Sequence, residues 1–344
     1  MSLPIIICGG FALDFIQTRT GGEYTGPTLG GDAITTTFWL QELVGKNAGL
    51  QLISEIPTDR YGNQLATVLS DAGIIFYPEL RPNRDSRTAY WDMTPEGKTL
   101  NQEKSQLLET TDSRLHLLGQ IDLSEGDGVF CLMSSAITHN WQLGWRELAQ
   151  QAQAENKTII SSPNTRAIQD NAKREVYQQN LEEQLALSNY VILSRKDLTN
   201  AYPEKTFEEA LTHLMQCCDA DFIVTDGTRP TTYYANEDLK KLGMLTPLLE
   251  VRVTERMGMD GLDTVGAGGA FVAGFAARLS GLHIGGNDMP ERGETSLKQT
   301  RIEVNDLIIQ QYTQLITAGH AVAAHHIDSK KLGMAPWGDR FELP

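Results

Sequence analysis

The residues of this chain best placed to do chemistry lie in Asp263-Thr-Val-Gly-Ala-Gly-Gly-Ala-Phe271. Gly266, Gly268 and Gly269 keep the backbone bare just before an apolar, helix-like run, Ala270–Leu279. Exposed N–H groups at a helix start, aligned with the helix dipole, attract anions. The chemistry this predicts is the holding of a phosphate or the stabilising of developing negative charge by backbone donors. A glycine loop alone reads equally well as a tight packing point. Two other clusters promise less. Ser134-Ser135 and His139 lack the strand-turn-helix setting of a nucleophile elbow. His320 and His326 are six residues apart and do not share a helix face, so with His325 they read as polar histidines on an ordinary helix.

Such a loop needs a rigid frame, and the chain supplies one. Ile5–Cys8, Leu50–Ile53, Gly128–Met133, Lys157–Ser161, Tyr190–Leu193 and Phe222–Thr225 are short apolar runs that read as buried strands. Thr35–Val44, Tyr61–Asp71, Trp141–Ala154, Arg174–Leu187, Phe207–Cys217 and Ala270–Leu279 carry helical patterns. Repeated strand–helix alternation predicts an α/β fold with a mostly parallel central sheet covered by helices on both faces. Two polar, aromatic-dotted stretches, 14–27 and 84–100, break this rhythm and read as strands of a small accessory sheet. The adjacent Tyr90 and Trp91 would point to opposite faces of such a strand.

Composition narrows the partners. The chain has 344 residues, enough for a single large α/β domain spanning 1–344. Lys plus Arg total 29 against 44 Asp plus Glu, a formal net charge of −15. That argues against nucleic acid and against anionic membrane surfaces. The four cysteines, Cys8, Cys131, Cys217 and Cys218, form no C-x-x-C pair and read as reduced thiols. The N-terminus lacks the basic and apolar regions of a signal peptide, and no stretch is long and apolar enough to span a bilayer. A cytoplasmic location is expected.

Several motifs in order resemble the ribokinase-like (PfkB) carbohydrate kinases. Gly9-Gly-Phe-Ala-Leu-Asp14 follows the first strand, and Gly30-Gly-Asp-Ala-Ile-Thr35 resembles the family's Gly-Gly motif. Asp59-Arg-Tyr-Gly62 resembles its D-x-x-G helix, and Ser162-Pro-Asn-Thr-Arg166 its D-x-N-x-R segment. Ser194-Arg-Lys-Asp197 stands where the family has N-x-x-E, and Thr225-Asp-Gly227 resembles T-x-G. Asp263–Gly268 closes the series as Asp-Thr-x-Gly-Ala-Gly.

The resemblance implies a ribokinase-like fold with a small β lid formed by 14–27 and 84–100, which can also carry a homodimer contact. It implies ATP with magnesium, a monovalent cation, and a small sugar-like ligand whose hydroxyl is phosphorylated. Asp14, Gly30, Gly31, Asp32 and Thr35 would face the sugar, with Arg166 as a substrate or phosphate contact. Ser194, Thr225, Gly227, Asp263 and Thr264 would line the nucleotide region. Gly266, Ala267 and Gly268 would form the anion hole, and Asp197 would hold magnesium weakly or through water.

The departures fall on polar positions. Thr35 replaces the family's Asn, Ser162 its Asp, Ser194 and Asp197 its Asn and Glu, and Pro230 a usual glycine. At the catalytic base position the family's Asp is Gly269, which cannot accept a proton. Loss of a general base typically costs about 10²–10⁴ in rate. Asp226, Asp260 and Asp263 are nearby in sequence or in the expected cleft; the resemblance implies that Asp263 belongs to the nucleotide and monovalent-cation wall, and that Asp14 and Asp32 are on the sugar side. The resemblance with these losses implies a kinase homologue with retained binding and impaired phosphotransfer. The alternative is an inactive pseudokinase acting as a ligand sensor or regulatory protein.

Overall fold

The computed structural model describes residues 4–17, 23–45, 49–81, 88–94, 97–104, 121, 123, 127–133, 141–165, 174–227, 229–251, 266–281 and 306–331. In chain order the strands are β1 (Ile5–Cys8), β2 (Ala12–Gln17), β3 (Thr25–Gly30), β4 (Gln51–Pro57), β5 (Ile75–Arg81), β6 (Thr88–Thr94) and β7 (Gly97–Lys104). Then come β8 (Val129–Met133), β9 (Thr158–Ser162), β10 (Tyr190–Ser194), β11 (Asp221–Asp226), β12 (Arg229–Tyr234) and β13 (Leu249–Val251). The helices are α1 (Asp32–Val44), α2 (Arg60–Asp71), α3 (Trp145–Ala154), α4 (Arg174–Ala186), α5 (Arg195–Ala201), α6 (Phe207–Cys217), α7 (Asn236–Leu242), α8 (Ala267–Leu279) and α9 (Asp306–Lys331).

Nine strands form one sheet in the order β13-β12-β11-β10-β9-β8-β1-β4-β5. From β11 to β5 every pairing is parallel, and β12 and β13 extend the edge by antiparallel pairs. The side-chain period of two explains the layers. Ile5, Ile7, Leu52, Val129, Cys131 and Ile160 share a core with α1, α2, α8 and α9. Ile6, Cys8, Phe130, Leu132 and Ile159 point the other way, onto Trp141, Trp145 and Leu148. Val191, Leu193, Phe222 and Val224 meet α4, α5, α6 and α7 on that second side. Buried strands with both faces covered need continuous apolar runs, which is why the sequence pattern located them.

Helix starts differ from the sequence expectation. α1 begins at Asp32, not Thr35, because Gly31 at φ 95° ends the strand and caps the helix. The run 141–154 is not one helix. Gly144, at φ 132°, separates a 3-10 turn over Trp141–Leu143 from α3. The two irregular stretches pair into a second sheet of order β3-β2-β6-β7, with residues 18–22 and 82–87 outside the described set. There β2 runs parallel to β6, matching Phe15 with Tyr90. The two rings stack at 4.8 Å, Tyr24 meets Tyr90 edge-on at 5.2 Å, and the Tyr24 hydroxyl donates to Asp92 at 2.6 Å. All four cysteines are free, and only Cys217 is not fully buried. Among the described residues no helix is long and apolar enough to cross a membrane.

Candidate functional site

The chain leaves β1 toward β4 on one side and reaches β8 on the other, so the strand order reverses beside β1. In open α/β sheets the crevice at such a reversal, outside the carboxyl ends of the strands, is where ligands bind. Of the residues singled out in the sequence, Ser162, Ser194 and Thr225 stand at that end. Register places Cys8 beside Leu132, Met133 beside Ser162, and Ser194 beside Thr225.

On one flank, Asp14 of β2 is buried, and a Cβ on Gly30 would overlap its carboxylate. Gly30 thus lets β3 pass directly over Asp14. Gly31 brings the chain against the Gly10 carbonyl and starts α1. Asp32 follows in the first turn, where the helix dipole favours a carboxylate. Its Oδ2 accepts from Asn164 Nδ2 at 3.2 Å, linking α1 to the end of β9. Thr35 is buried, as are Thr36 and Thr37.

On the other flank, α8 starts from Gly266 in the left-handed region at φ 88°, with no side-chain cap. An L side chain would be strained there. Gly268 is exposed, and a Cβ on it would meet nothing within 4 Å among the described residues. The first N–H groups of a helix have no partner within the helix, and such a start is where an anion can bind.

Gly269 is different. It is buried where α8 crosses α1, and Thr36 Oγ1 donates to its carbonyl at 3.0 Å. A Cβ at 269 would sit 2.9 Å from the Asp32 carbonyl oxygen, 3.1 Å from Thr35 Cβ and 3.2 Å from Thr36 Oγ1. The first turn of α1 occupies the space a side chain at 269 would enter. The sequence reading overlooked Thr36, although three consecutive threonines in a buried helix were a signal.

The residues at the ends of β10 and β11 serve local structure. Ser194 and Asp197 form a reciprocal capping box at the start of α5. Asp197 Oδ2 accepts from Ser194 N at 2.9 Å and Ser194 Oγ at 2.6 Å, while Oδ1 accepts from Thr165 N at 3.2 Å. The single hydrogen of the Thr165 hydroxyl goes to the Asp197 backbone carbonyl at 2.7 Å, closer than its 3.2 Å approach to Oδ1. The carboxylate is thus engaged in holding the start of α5, with acceptor capacity left over. Thr225 Oγ1 donates to the Leu193 carbonyl at 3.4 Å, and Gly227 turns the chain at φ 61°. Arg166, Asp263 and Thr264 lie outside the described residues. A groove of about 530 Å³ beside α2, lined by Ile56, Asn63, Ala66 and Phe76 among others, includes none of the predicted site residues.

The model of the pfkB family of carbohydrate kinases matches residues 12–298. No curated protein matches the chain. Solved structures resemble it along nearly its whole length. Aminoimidazole riboside kinase from Salmonella enterica, complexed with aminoimidazole riboside and an ATP analog, is 17% identical with a TM-score of 0.66, covering 95% of this chain and 94% of that one. Fructokinase from Vibrio cholerae O395, in a form with fructose, ADP and calcium, is 16% identical with a TM-score of 0.67, covering 98% and 96%. Adenosine kinase from Anopheles gambiae is 16% identical with a TM-score of 0.65, covering 94% and 95%. At such identities the likeness establishes a shared fold.

Proposed function

The chain belongs to the pfkB family of carbohydrate kinases, and from that premise we propose that it binds a nucleotide and a small sugar-like ligand but transfers phosphate poorly. The observation that carries this reading is position 269, where the family's base would stand and where the first turn of α1 fills the space for a side chain. Binding draws on different atoms. Asp14, Asp32 and the close-approaching Gly30 and Gly31 would meet ligand hydroxyls, with Thr35 behind them. The uncapped start of α8, Gly266 to Gly268, would take phosphate oxygens through backbone N–H groups. Thr225 and Gly227 would border the nucleotide, with Ser194 shaping that edge and Asp263 and Thr264 beyond it. Arg166 would contact the substrate or phosphate. Magnesium accompanying the nucleotide would be held by Asp197 weakly or through water, since that carboxylate already accepts from Ser194 and Thr165.

Phosphoryl transfer needs an oriented hydroxyl, stabilised charge on the transferring group and somewhere for the hydroxyl proton to go. The first two survive in backbone and carboxylate geometry. Without a base, turnover should fall by about 10²–10⁴ relative to an intact site. Slow turnover with Asp32 as a substitute base is a second reading, favoured by its place in the first turn of α1, the turn that packs against position 269. A fully inactive sensor is the limiting case of the first.

The test is calorimetric titration with MgATP beside a phosphotransfer assay on a panel of sugars. Wild type, Gly266→Val and Asp32→Asn would be compared. Binding that weakens in Gly266→Val, with little or no turnover, fits the proposal. Turnover at ordinary kinase rates sinks the impaired reading, and its loss in Asp32→Asn would assign the base. Absence of MgATP binding by wild type removes the nucleotide site.

A further inference from the structure

On the second side of the sheet, a cluster of metal-ligating side chains spans α4 and α6. His213 and Cys217 are four residues apart on α6 and so share one face of that helix. Glu182 reaches them from α4. One ligand atom from each of the three, a Glu182 oxygen, a His213 ring nitrogen and Cys217 Sγ, lies within 4.8 Å of the other two, and all three residues are half-buried. Glu182 Oε1 is 2.9 Å from His213 Nε2, and the hydroxyl of the buried Tyr202 donates to the same oxygen at 2.8 Å. The Tyr202 ring also packs edge-on against His213 at 5.1 Å. The carboxylate and the imidazole are thus oriented from behind by a residue that is not itself a ligand, as outer-shell partners orient metal ligands. Leu181, Leu185, Leu211 and Leu214 floor the cluster.

We propose that Glu182, His213 and Cys217 bind a zinc-class divalent cation. One oxygen, one nitrogen and one sulfur make a borderline-soft set that suits Zn²⁺, whereas magnesium and calcium call for oxygens alone. Tetrahedral zinc at about 2.0–2.3 Å from each ligand places ligand atoms roughly 3.3–3.8 Å from one another, so Glu182 and His213, now 2.9 Å apart, spread slightly while all three atoms stay within the present 4.8 Å of one another. On binding, the Cys217 thiol gives its proton to solvent and its sulfur bonds the metal. The hydrogen between His213 Nε2 and Glu182 leaves Nε2, the neutral ring carries its proton on Nδ1 instead, and the freed Nε2 lone pair and a Glu182 oxygen bond the metal as well. Water completes the fourth position. No electron is transferred. The site stands apart from the strand-end crevice, and its ion would tie α4 to α6 on the outer surface.

The experiment uses the full chain, treated with chelator and then titrated with Zn²⁺ by calorimetry and with Co²⁺ by absorption. Stoichiometric uptake is expected, together with a thiolate-to-cobalt charge-transfer band. The band should vanish in Cys217→Ser and persist in Cys218→Ser, whose native thiol instead donates to the Leu214 carbonyl. His213→Gln and Glu182→Gln should each weaken Zn²⁺ by at least about tenfold. A wild-type readout guards against variants that fold poorly: Zn²⁺ should protect Cys217 from alkylation, located by peptide mass. No stoichiometric uptake, a band that survives Cys217→Ser, or unchanged alkylation of Cys217 overturns the site.

Discussion

Two helices begin at the carboxyl end of the central sheet in opposite states. α5 starts closed: Ser194 and Asp197 satisfy one another, and Thr165 donates its N–H to the Asp197 carboxylate and its hydroxyl to the Asp197 carbonyl. α8 starts open: Gly266 offers no side chain, and among the described residues nothing lies within 4 Å of where a Cβ on Gly268 would sit. The contrast separates two kinds of site material. Side chains at the polar positions have been drawn into structure, whereas the backbone donors of α8 remain available to a ligand. Backbone-built features survive sequence change because nearly any residue supplies an N–H, while a carboxylate is lost or diverted by a single substitution.

The contrast presumes that the body of α8 is held firmly enough for its start to be bare, and pH offers the largest lever on that. His320 of α9 lies against Phe271 of α8 at 5.1 Å, and its Nε2 is buried without a hydrogen-bond partner among the described residues. Burial lowers its pKa from 6.5 to about 4. The unfolded chain then binds the proton more readily than the folded one between those values. Stability from the neutral ring is complete above about pH 6.5 and is lost as pH falls toward 4, by about 3 kcal/mol from this residue. Denaturant titrations at pH 8 and pH 5 should show a smaller acid loss in His320→Leu. An equal loss in both proteins would mean the ring is already solvated.

Gly269→Asp comes next and bears directly on the open start. The added side chain meets the backbone of α1, so it should cost about 1–3 kcal/mol as an overpacked helix crossing. Thermal unfolding reads this as a lower midpoint, and the paired phosphotransfer assay should gain little. A stable variant with restored turnover would show that α1 yields easily and that the loss of the base is a matter of one residue.

The smallest effect sharpens the contrast most. Asp197→Ala removes the cap of α5 and should destabilise by about 1 kcal/mol. MgATP affinity, followed by calorimetry, should stay within about twofold, since RT is about 0.6 kcal/mol and no direct ligand is removed. A tenfold fall would return Asp197 to the metal site.

The sheet was legible in the sequence because its buried strands, Ile5–Cys8 or Val129–Met133, must be apolar on both faces. The polar strand Arg229–Tyr234, next to the edge strand β13, was not, since its Thr and Tyr residues carry no such run. Helix starts at glycine were read about three residues late, at Thr35 for Asp32 and at Ala270 for Ala267, because the usual Ser, Thr or Asp cap is missing there. The absence of a carboxylate at 269 was visible in the sequence. That α1 fills its place was not, because the contact joins residues more than two hundred positions apart. The capping box of Ser194 and Asp197 was legible as an i, i+3 pair, but its tie to Thr165, 32 residues away, was not.

The position of β1 in the sheet also bears on how the molecule is made. Ile7 pairs with Leu52 on one side and with Cys131 on the other. During synthesis the first partner emerges soon, but the second follows more than a hundred residues later. Until then a fully buried strand of the protein carries a bare apolar edge, the kind of surface that recruits other nascent chains. Long-range parallel pairing is also slow to form. The step most exposed to aggregation is therefore the arrival of β8, and a chaperone that covers Ile5–Cys8 until Val129–Met133 appears would raise the yield of folded protein.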